Sequence, residues 1–356
     1  AKWIYRALSF LVVSCPCALV ISIPLGFFGG IGGASRKGIL IKGSNYLEAL
    51  SKTGIVVFDK TGTLTKGNFV VTKVYPEERK EEILRLASIA EANSNHPIAK
   101  SIKNAFGQEI KGNYLVKDIA GKGIIAENNE ETILCGNSKL MEEFNVNYEL
   151  NEGVGTIVYL AKNQEFIGSI VIADEIKEEA KSMIDYLNSI GAKTIMLTGD
   201  NDKIARHVAK ELGLKEYHAS LLPQNKVEKL NELLEAKKAK DILCFIGDGI
   251  NDAPVLMKAD IGLAMGGVGS DAAIEASDIV LMNDNLDSIE ITKQIAKKTM
   301  MIVYENIYFA IGIKLLILLL SIVGLANMWL AIFADVGVSV ICILNSMRTG
   351  NIKNKK

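Results

Sequence analysis

Long apolar runs stand at the two ends of this 356-residue chain, and the charged residues lie between them. Residues 3–33 and 305–347 hold nearly all of these runs, whereas charge is concentrated in residues 36–300. A helix of about 20 apolar residues is long enough to cross the hydrocarbon core of a bilayer. The pattern therefore predicts membrane-spanning helices at both ends and a large water-exposed body between them.

Prolines and basic residues define the predicted spans further. Residues 3–33 form one span with breaks at Pro16 and Pro24, because proline removes a backbone hydrogen bond from a helix. Residues 306–323 and 328–344 form two more spans, joined by a short uncharged turn. Basic residues follow the first span and flank this hairpin on both sides: Arg36, Lys37, Lys42, Lys293, Lys297, Lys298, Arg348, Lys353, Lys355 and Lys356. Because basic residues mark cytoplasmic ends, we expect one span, a cytoplasmic body and a hairpin.

Charge and cysteine content exclude other classes of protein. The formal net charge is −1, so no overall field attracts nucleic acid, and we expect no nucleic-acid partner. An odd number of cysteines in a long chain predicts no disulfide framework; they are Cys15, Cys17, Cys135, Cys244 and Cys342. The chain begins without Met, almost directly in an apolar segment that lacks a signal-peptide cleavage pattern, so we expect it to be truncated at the N-terminus.

Three short apolar runs in the body each end at a polar motif. Residues 54–58, 194–197 and 242–246 are typical of buried strands in a parallel sheet. Such a sheet places its active site outside the carboxyl ends of its strands. About a hundred residues after the first strand have their own apolar pattern, which predicts an inserted domain. The predicted domains are 1–35 (first span), 36–68 and 164–298 (two parts of the parallel-sheet domain), 69–163 (inserted domain), 299–347 (hairpin) and 348–356 (cytoplasmic tail).

The polar motifs supply the residue types that phosphoryl transfer needs. Asp59 follows the first strand and precedes a Gly/Thr-rich turn whose backbone amides can cradle a phosphate. Thr198 can hold a phosphoryl oxygen, and Lys226 can place a positive charge on the transferring group. Asp248 and Asp252 can hold Mg²⁺. Each motif alone is typical of an ordinary turn, but all of them in this order after buried strands indicate a site.

The motifs DKTGTLT, TGD and GDGINDAP resemble the signatures of P-type ATPases. The resemblance implies ATP as substrate, Mg²⁺ as cofactor and Asp59 as the residue that becomes an aspartyl phosphate. The implied fold class is an α/β haloacid dehalogenase-like phosphorylation domain with an inserted α+β nucleotide-binding domain, plus transmembrane α-helices. The implied catalytic residues are Asp59, Lys60, Thr61, Thr198, Gly199, Asp200, Lys226, Asn251 and Asp252, and the implied Mg²⁺ ligands are Asp59, Thr61, Asp248 and Asp252.

Two other functions compete with this interpretation. A soluble phosphatase of the same fold needs a general acid/base, typically a second Asp two positions after the nucleophile. That position is Thr61, whose hydroxyl has no usable pKa for the task, so an acyl phosphate on Asp59 should persist, as a pump requires. A non-catalytic metal-binding membrane protein is the other alternative, and the complete set of phosphoryl-transfer residues argues against it.

The inserted domain contains a candidate nucleotide site. A His before Pro is usually a helix-start residue, and a single Gly-X-Gly is a weak motif. The heavy-metal branch of the P-type ATPases has both features in its nucleotide-binding domain, and the chain resembles it at His96 and at residues 121–123. The resemblance implies ATP contacts from Glu91, His96, Gly121, Gly123 and Asn137, whereas Cys135 is interpreted as a packing residue.

A candidate ion site lies within the predicted spans. Pro16 should kink the helix so that the sulfurs of Cys15 and Cys17 turn towards one cavity, where two thiolates suit Zn²⁺, Cd²⁺, Pb²⁺ or Cu⁺. Buried cysteines are also common as small apolar residues. Lys314 and Asp335 lie inside the hairpin spans, where an ionisable residue is usually functional unless it snorkels to the interface. A carboxylate beside two thiolates favours a divalent ion, and Lys314 could pair with Asp335 when the site is empty.

This set resembles the zinc/cadmium/lead branch of the metal-transporting P-type ATPases. The resemblance implies ATP-driven export of Zn²⁺, Cd²⁺ or Pb²⁺ bound by Cys15, Cys17 and Asp335, with Lys314 as counter-charge. A Cu⁺-exporting P-type ATPase is the alternative, and Cys342 is interpreted as a packing residue. The actuator domain and further helices are expected in an N-terminal part of the same pump. We expect an integral protein of the bacterial plasma membrane with cytoplasmic catalytic domains.

Overall fold

The computed structural model describes residues 10–11, 13–94, 96–108, 114–248, 252–266 and 271–350. The described strands are β1 Ile39–Ile41, β2 Thr53–Asp59, β3 Thr65–Tyr75, β4 Leu115–Ile119, β5 Gly123–Glu127, β6 Thr132–Gly136, β7 Thr156–Lys162, β8 Glu165–Ile176, β9 Lys193–Leu197, β10 Glu216–His218, β11 Ile242–Gly247, β12 Ile261–Met265 and β13 Ile279–Leu281. The described α-helices are α1 Cys17–Ser35, α2 Ser44–Ser51, α3 Lys80–Ala90, α4 Pro97–Phe106, α5 Ser138–Glu143, α6 Ala180–Ser189, α7 Asp202–Leu212, α8 Pro223–Ala236, α9 Ala253–Lys258, α10 Asp271–Ala276, α11 Asp287–Val323, α12 Met328–Ile332 and α13 Val338–Ser346.

The larger sheet has the strand order β1-β13-β12-β11-β2-β9-β10 and is parallel except for the β1–β13 pair. The three predicted strands are β2, β9 and β11, and they lie side by side in the middle of the sheet. Successive residues of β2 point to opposite faces. Phe58 packs with α2, α6, α7 and α11 on one face, whereas Val57 packs with α8, α9 and α10 on the other. Helices on both faces explain why these strands are continuous apolar runs.

The second sheet is antiparallel, with the order β3-β8-β7-β6-β5-β4. Its two faces have separate cores, with Ile124 and Ile133 under α3 and α4 and with Ile125 and Leu134 under α5. The predicted insertion, residues 69–163, falls inside the range of the chain that forms this sheet. The sheet itself extends from Thr65 to Ile176, because β3 and β8 pair with each other along their length. These two strands join the sheet to the larger one.

Within the part of the chain that the structure describes, three helical segments are long and apolar enough to cross a membrane: Cys17–Ser35, Asp287–Val323 and Met328–Gly350. Cys15 and Pro16 lie outside helical structure, so the predicted break at Pro16 is confirmed. The predicted break at Pro24 is wrong, because α1 continues through it. Proline removes a single backbone hydrogen bond, and a helix in a membrane tolerates it where neighbouring groups satisfy the freed carbonyl.

Helix α11 is a single element of 37 residues. At 1.5 Å per residue it is about 55 Å long, well beyond the 30 Å or so that a span requires. Its first half packs on the larger sheet through Ile289 and Ile295, and its second half contains the predicted span 306–323. The larger sheet and one of the candidate membrane spans therefore share one continuous helix.

Small residues of α1 allow close packing against its neighbours. A Cβ added at Gly30 would lie 3.0 Å from both Thr299 Cγ2 of α11 and Leu47 Cδ2 of α2, and closer still to the Thr299 hydroxyl. No atom lies within 4 Å of a Cβ added at Gly32, two residues further along the same helix. Gly30 therefore sits in the contact between α1, α2 and α11, and Gly32 does not.

We expect Gly30→Ala to destabilise the protein by about 1–3 kcal/mol, the usual range for overpacking, because the short Thr299 side chain cannot withdraw both of its branches. Gly32→Ala is the matched control. It should be neutral or stabilising by up to about 1 kcal/mol, since alanine is the better helix former. Thermal unfolding in detergent would measure both variants, and equal melting temperatures would contradict this description of the contact.

Candidate functional site

Asp59 is the last residue of β2 and is only 5% exposed. After it, the chain makes a tight turn over Lys60–Leu64, in which Gly62 has a φ of 74°. A side chain at Gly62 would also meet the Asp248 carboxylate at the end of β11, with Cβ 2.6 Å from Oδ2. Glycine is required here for both reasons, and its small size brings the turn after Asp59 against Asp248.

Lys226, in the first turn of α8, bridges two buried carboxylates. Its Nζ lies 2.5 Å from Asp59 Oδ1 and 3.0 Å from Asp252 Oδ1. Burial and the neighbouring Asp252 raise the pKa of Asp59 to about 7, against the opposing effect of Lys226. Burial tends to lower the pKa of Lys226, but the two carboxylates raise it overall. The sequence prediction that Lys226 acts beside Asp59 therefore has a direct geometric basis.

Three carboxylates form a candidate magnesium site. Oxygen atoms of Asp59, Asp248 and Asp252 all lie within 4.8 Å of one another. Oxygen ligands of this kind suit Mg²⁺. Lys226 is the cation that the structure places against Asp59 and Asp252, so three clustered carboxylates face its single positive charge. These three residues therefore fit a divalent cation. Thr61, the fourth predicted ligand, is exposed in the same turn.

The other predicted catalytic residues form a second cluster. Lys60 points to Asp200, with Nζ 2.6 Å from Oδ2, and lies 3.6 Å from Asp174 Oδ2. The buried hydroxyl of Thr198 accepts a hydrogen bond from the Asp200 backbone amide at 3.1 Å. Gly199 is exposed between them, and Asn251 lies outside the described residues. Lys60 thus joins the nucleophile turn to the segment after β9.

Sequence reasoning missed Asp174 and Lys177 at the end of β8. Asp174 Oδ2 accepts a hydrogen bond of 2.6 Å from Thr65 Oγ1, and Lys177 Nζ donates to the Gly62 carbonyl at 3.0 Å. Both residues follow the apolar run of β8, so the rule that picked out Asp59 at a strand end also applied to them. Burial raises the pKa of Asp174 and lowers that of Lys177.

Two of the predicted nucleotide contacts, Glu91 and His96, lie near each other in the inserted domain. Glu91 is buried, its Oε2 has no hydrogen-bond partner among the described residues, and burial raises its pKa. His96 caps α4, because its Nδ1 accepts a hydrogen bond from the Ile98 amide at 3.3 Å. An accepting Nδ1 leaves the proton of the neutral ring on Nε2. The exposed Nε2 edge is therefore available as a donor to a ligand.

Asn137 and the two glycines build the neighbouring loop. Asn137 donates to the Gly121 carbonyl at 2.9 Å and accepts from the Leu140 amide at 3.3 Å, so it caps α5 and holds the loop. A side chain at Gly123 would collide with the backbone of Cys135 and Gly136 on β6, whereas the space beside Gly121 is open. Asn137 and Gly123 therefore have structural tasks of their own, and Gly121 leaves open space.

The membrane residues converge as the sequence predicts. Ligand atoms of Cys15, Cys17 and Asp335 lie within 4.8 Å of one another. Lys314 is buried, with Nζ 3.6 Å from Asp335 Oδ1 and 3.3 Å from the Val13 carbonyl, and it also donates to the Cys15 carbonyl. The predicted Lys314–Asp335 pair is therefore present. The break at Pro16 supplies the carbonyls that the lysine binds.

One feature differs from the sequence expectation of two thiolates. The structure joins Cys15 and Cys17 in a disulfide. Because the thiolate is the metal ligand, only the reduced pair can bind an ion. Cys342 is fully buried and packs with Ala18, Ala310 and Val338, in agreement with its interpretation as a packing residue.

Comparisons with known proteins identify what this chain is similar to. A family model described as haloacid dehalogenase-like hydrolase matches residues 53–260. A cadmium, zinc and cobalt-transporting ATPase of Bacillus subtilis is 53% identical, covering 100% of this chain and 51% of the relative. A zinc-transporting ATPase of Synechocystis sp. is 50% identical, covering 98% of this chain and 49% of the relative. The chain thus spans about half the length of these curated relatives.

A solved structure extends the match to three dimensions. The crystal structure of a zinc-transporting PIB-type ATPase in the E2.Pi state has a TM-score of 0.87 and 35% sequence identity to this chain. The match covers 98% of this chain and 58% of that one, so it includes both sheets and the apolar helices. The chain therefore belongs to the haloacid dehalogenase-like hydrolase family and, within it, to the heavy-metal-transporting P-type ATPases.

Proposed function

We propose that this chain is the catalytic and ion-binding part of a pump that exports divalent heavy-metal ions at the expense of ATP. One observation carries the proposal. This chain contains two clusters. A buried Asp59–Lys226–Asp252 cluster lies at the carboxyl ends of the central strands, and a Cys15–Cys17–Asp335 cluster lies among the candidate spans. The first cluster suits phosphoryl transfer and the second suits a thiophilic divalent ion.

The chemistry proposed for Asp59 follows from its surroundings. An oxygen of its carboxylate forms a bond to the γ-phosphorus of ATP, and the bond from that phosphorus to the ADP oxygen breaks. Lys226 lies against the same carboxylate and stabilises negative charge on the transferring group. Mg²⁺ held by Asp59, Asp248 and Asp252 would neutralise phosphate charge, with Thr61 in the same turn.

The aspartyl phosphate should persist long enough to drive a conformational change. Thr61 occupies the position where a phosphatase of this fold needs its general acid/base, and a hydroxyl cannot titrate there. Hydrolysis would then depend on the actuator domain, which we assign to the remaining N-terminal part of the same pump. This argument favours a pump over a phosphatase.

ATP is proposed to bind in the inserted domain. The buried carboxylate of Glu91, the exposed Nε2 edge of His96 and the open space beside Gly121 support a nucleotide site there. Asn137 and Gly123 would shape the site through the loop rather than through contact, because their interactions are already made within the protein.

The proposed ions are Zn²⁺, Cd²⁺ and Pb²⁺. The Bacillus subtilis relative is described as transporting cadmium, zinc and cobalt and the Synechocystis relative as transporting zinc, which supports the first two ions and adds Co²⁺ as a candidate. Pb²⁺ rests on thiolate and carboxylate chemistry alone. The carboxylate of Asp335 and the positive charge of Lys314 disfavour Cu⁺. We place the spans in a bacterial plasma membrane, with the lipid bilayer as partner and both sheets in the cytoplasm.

The first test is metal-dependent formation of an acid-stable, hydroxylamine-sensitive phosphoenzyme from radiolabelled ATP. The complete parent protein in reducing buffer, assayed in membranes, should be labelled with Zn²⁺ or Cd²⁺, and Asp59→Asn should carry no label, because the amide cannot attack phosphorus. Label with Cu⁺ alone would reassign the ion, and an unlabelled protein with every metal would overturn the proposed function.

Lys226→Met should lower the rate of phosphoenzyme formation by about 10²–10³-fold, the usual cost of removing one group that stabilises transition-state charge. Lys229→Met on the same helix is the matched control, because Lys229 pairs with Glu232 at the surface. Rapid-quench kinetics would measure both variants. Equal rates would show that the Lys226–Asp59 contact is structural only.

Cys17→Ser should abolish most of the metal-stimulated label, because the hydroxyl is a poor ligand for Zn²⁺ or Cd²⁺. Cys342→Ser is the control, since its sulfur lies among Ala18, Ala310 and Val338 and not beside Asp335. Phosphoenzyme would be titrated against Zn²⁺ in both variants. A similar Zn²⁺ requirement in the two would remove Cys17 from the ion site.

A further inference from the structure

Lys177 stands where three parts of the molecule meet. It directly follows β8, one of the two strands that join the sheets. Its backbone amide donates to the Leu64 carbonyl at 3.0 Å, and its Nζ donates to the Gly62 carbonyl, also at 3.0 Å. The same Nζ reaches the Asp284 carbonyl at 3.4 Å, in the loop just before α11. Lys177 thus makes two hydrogen bonds to the turn after Asp59 and connects this turn to the loop before α11.

Lysine is suited to this position by its chemistry. An ammonium group has three donors and no acceptor, so it can satisfy two backbone carbonyls at once. The carboxylates of Asp284, Glu179, Asp248 and Asp174 act electrostatically on this ammonium group. They favour its charged form, whereas burial lowers its pKa. An apolar residue here would leave both carbonyls without this donor.

A second lysine ties α11 to the other end of the catalytic strand. Lys293 is 3% exposed, and its Nζ donates to the carbonyl of Thr53, the first residue of β2, at 2.6 Å. The turn after β2 is therefore connected through Lys177 to the loop before α11, and the first residue of β2 is connected through Lys293 to α11 itself. Lys314, beside the ion cluster, lies further along the same helix, about 40 Å from its start.

We propose that Lys177 is a positioning residue that couples the ion site to phosphorylation, by holding the Lys60–Leu64 turn in register with the start of α11. This inference rests on the proposed pump function. A change in α11 on ion binding would reach the turn through the Asp284 and Gly62 carbonyls and change the placement of Asp59 against Lys226. Lys293 contacts only the first residue of β2, so without Lys177 the turn after Asp59 would lose its link to the loop before α11.

The test uses Lys177→Met in the complete parent protein in membranes. The initial rate of phosphoenzyme formation from ATP would be measured with saturating Zn²⁺ and with a chelator, and the ratio of the two rates is the readout. We expect the ratio to fall by about 5-fold or more, the lower end of typical coupling between sites. Lys177→Arg should restore most of it, because a guanidinium can donate to both carbonyls.

Lys181→Met is the matched control, because Lys181 is one turn further on, pairs with Asp185 at the surface and should leave the ratio unchanged. Lys177→Gln, which keeps a donor, replaces Lys177→Met should that variant not fold, and an intermediate ratio is expected. A ratio equal to wild type, or equal losses with and without Zn²⁺ alongside a lower melting temperature, would overturn the coupling role. A wild-type protein without label would instead overturn the proposed function.

Discussion

Burying carboxylates at the carboxyl ends of the central strands is the constraint on which the rest of the structure depends. Asp59 and Asp252 are 5% and 1% exposed, and a buried charge without a partner costs several kcal/mol or more. Lys226 compensates both, and it comes from a helix that starts more than 160 residues after Asp59. The same requirement pairs Lys60 with Asp200. One helix and the turn after Asp59 thus deliver lysines to the carboxyl ends of the strands.

The apolar helices also contain a buried charge that needs partners, and backbone carbonyls supply part of them. Unsatisfied backbone carbonyls and isolated charges are both costly in an apolar environment. Pro16 interrupts the helix and leaves the Val13 and Cys15 carbonyls without helical donors, and Lys314 donates to both. Asp335 lies close enough to balance the lysine and to join the two sulfurs. The helix break, the lysine and the aspartate therefore make one unit, in which an arriving cation would compete with Lys314.

Helix α11 connects these two charged centres without interruption. Its first half packs on the larger sheet and its second half carries Lys314, so one continuous hydrogen-bonded element joins the two centres. Lys293 attaches the first residue of the catalytic strand to this helix, and Lys177 connects the turn after the strand to the loop before the helix. Gly30 in α1 lets a second membrane helix pack against α11 where it leaves the sheet.

The sequence by itself determined the apolar helical segments, the strands that lead to Asp59, Thr198 and Asp248, and the break at Pro16. The spacing of apolar residues shows which segments are buried, and polar residues mark where the strands end, so these features follow from local sequence pattern. Only the tertiary structure decided that Lys60 pairs with Asp174 and Asp200, that β3 and β8 belong to the second sheet, and that Asn137 and His96 cap helices. Lys177 and Gly62 are 115 residues apart along the chain. A local pattern shows which side of an element is buried, but the partner that a buried polar group meets is set by how distant segments pack.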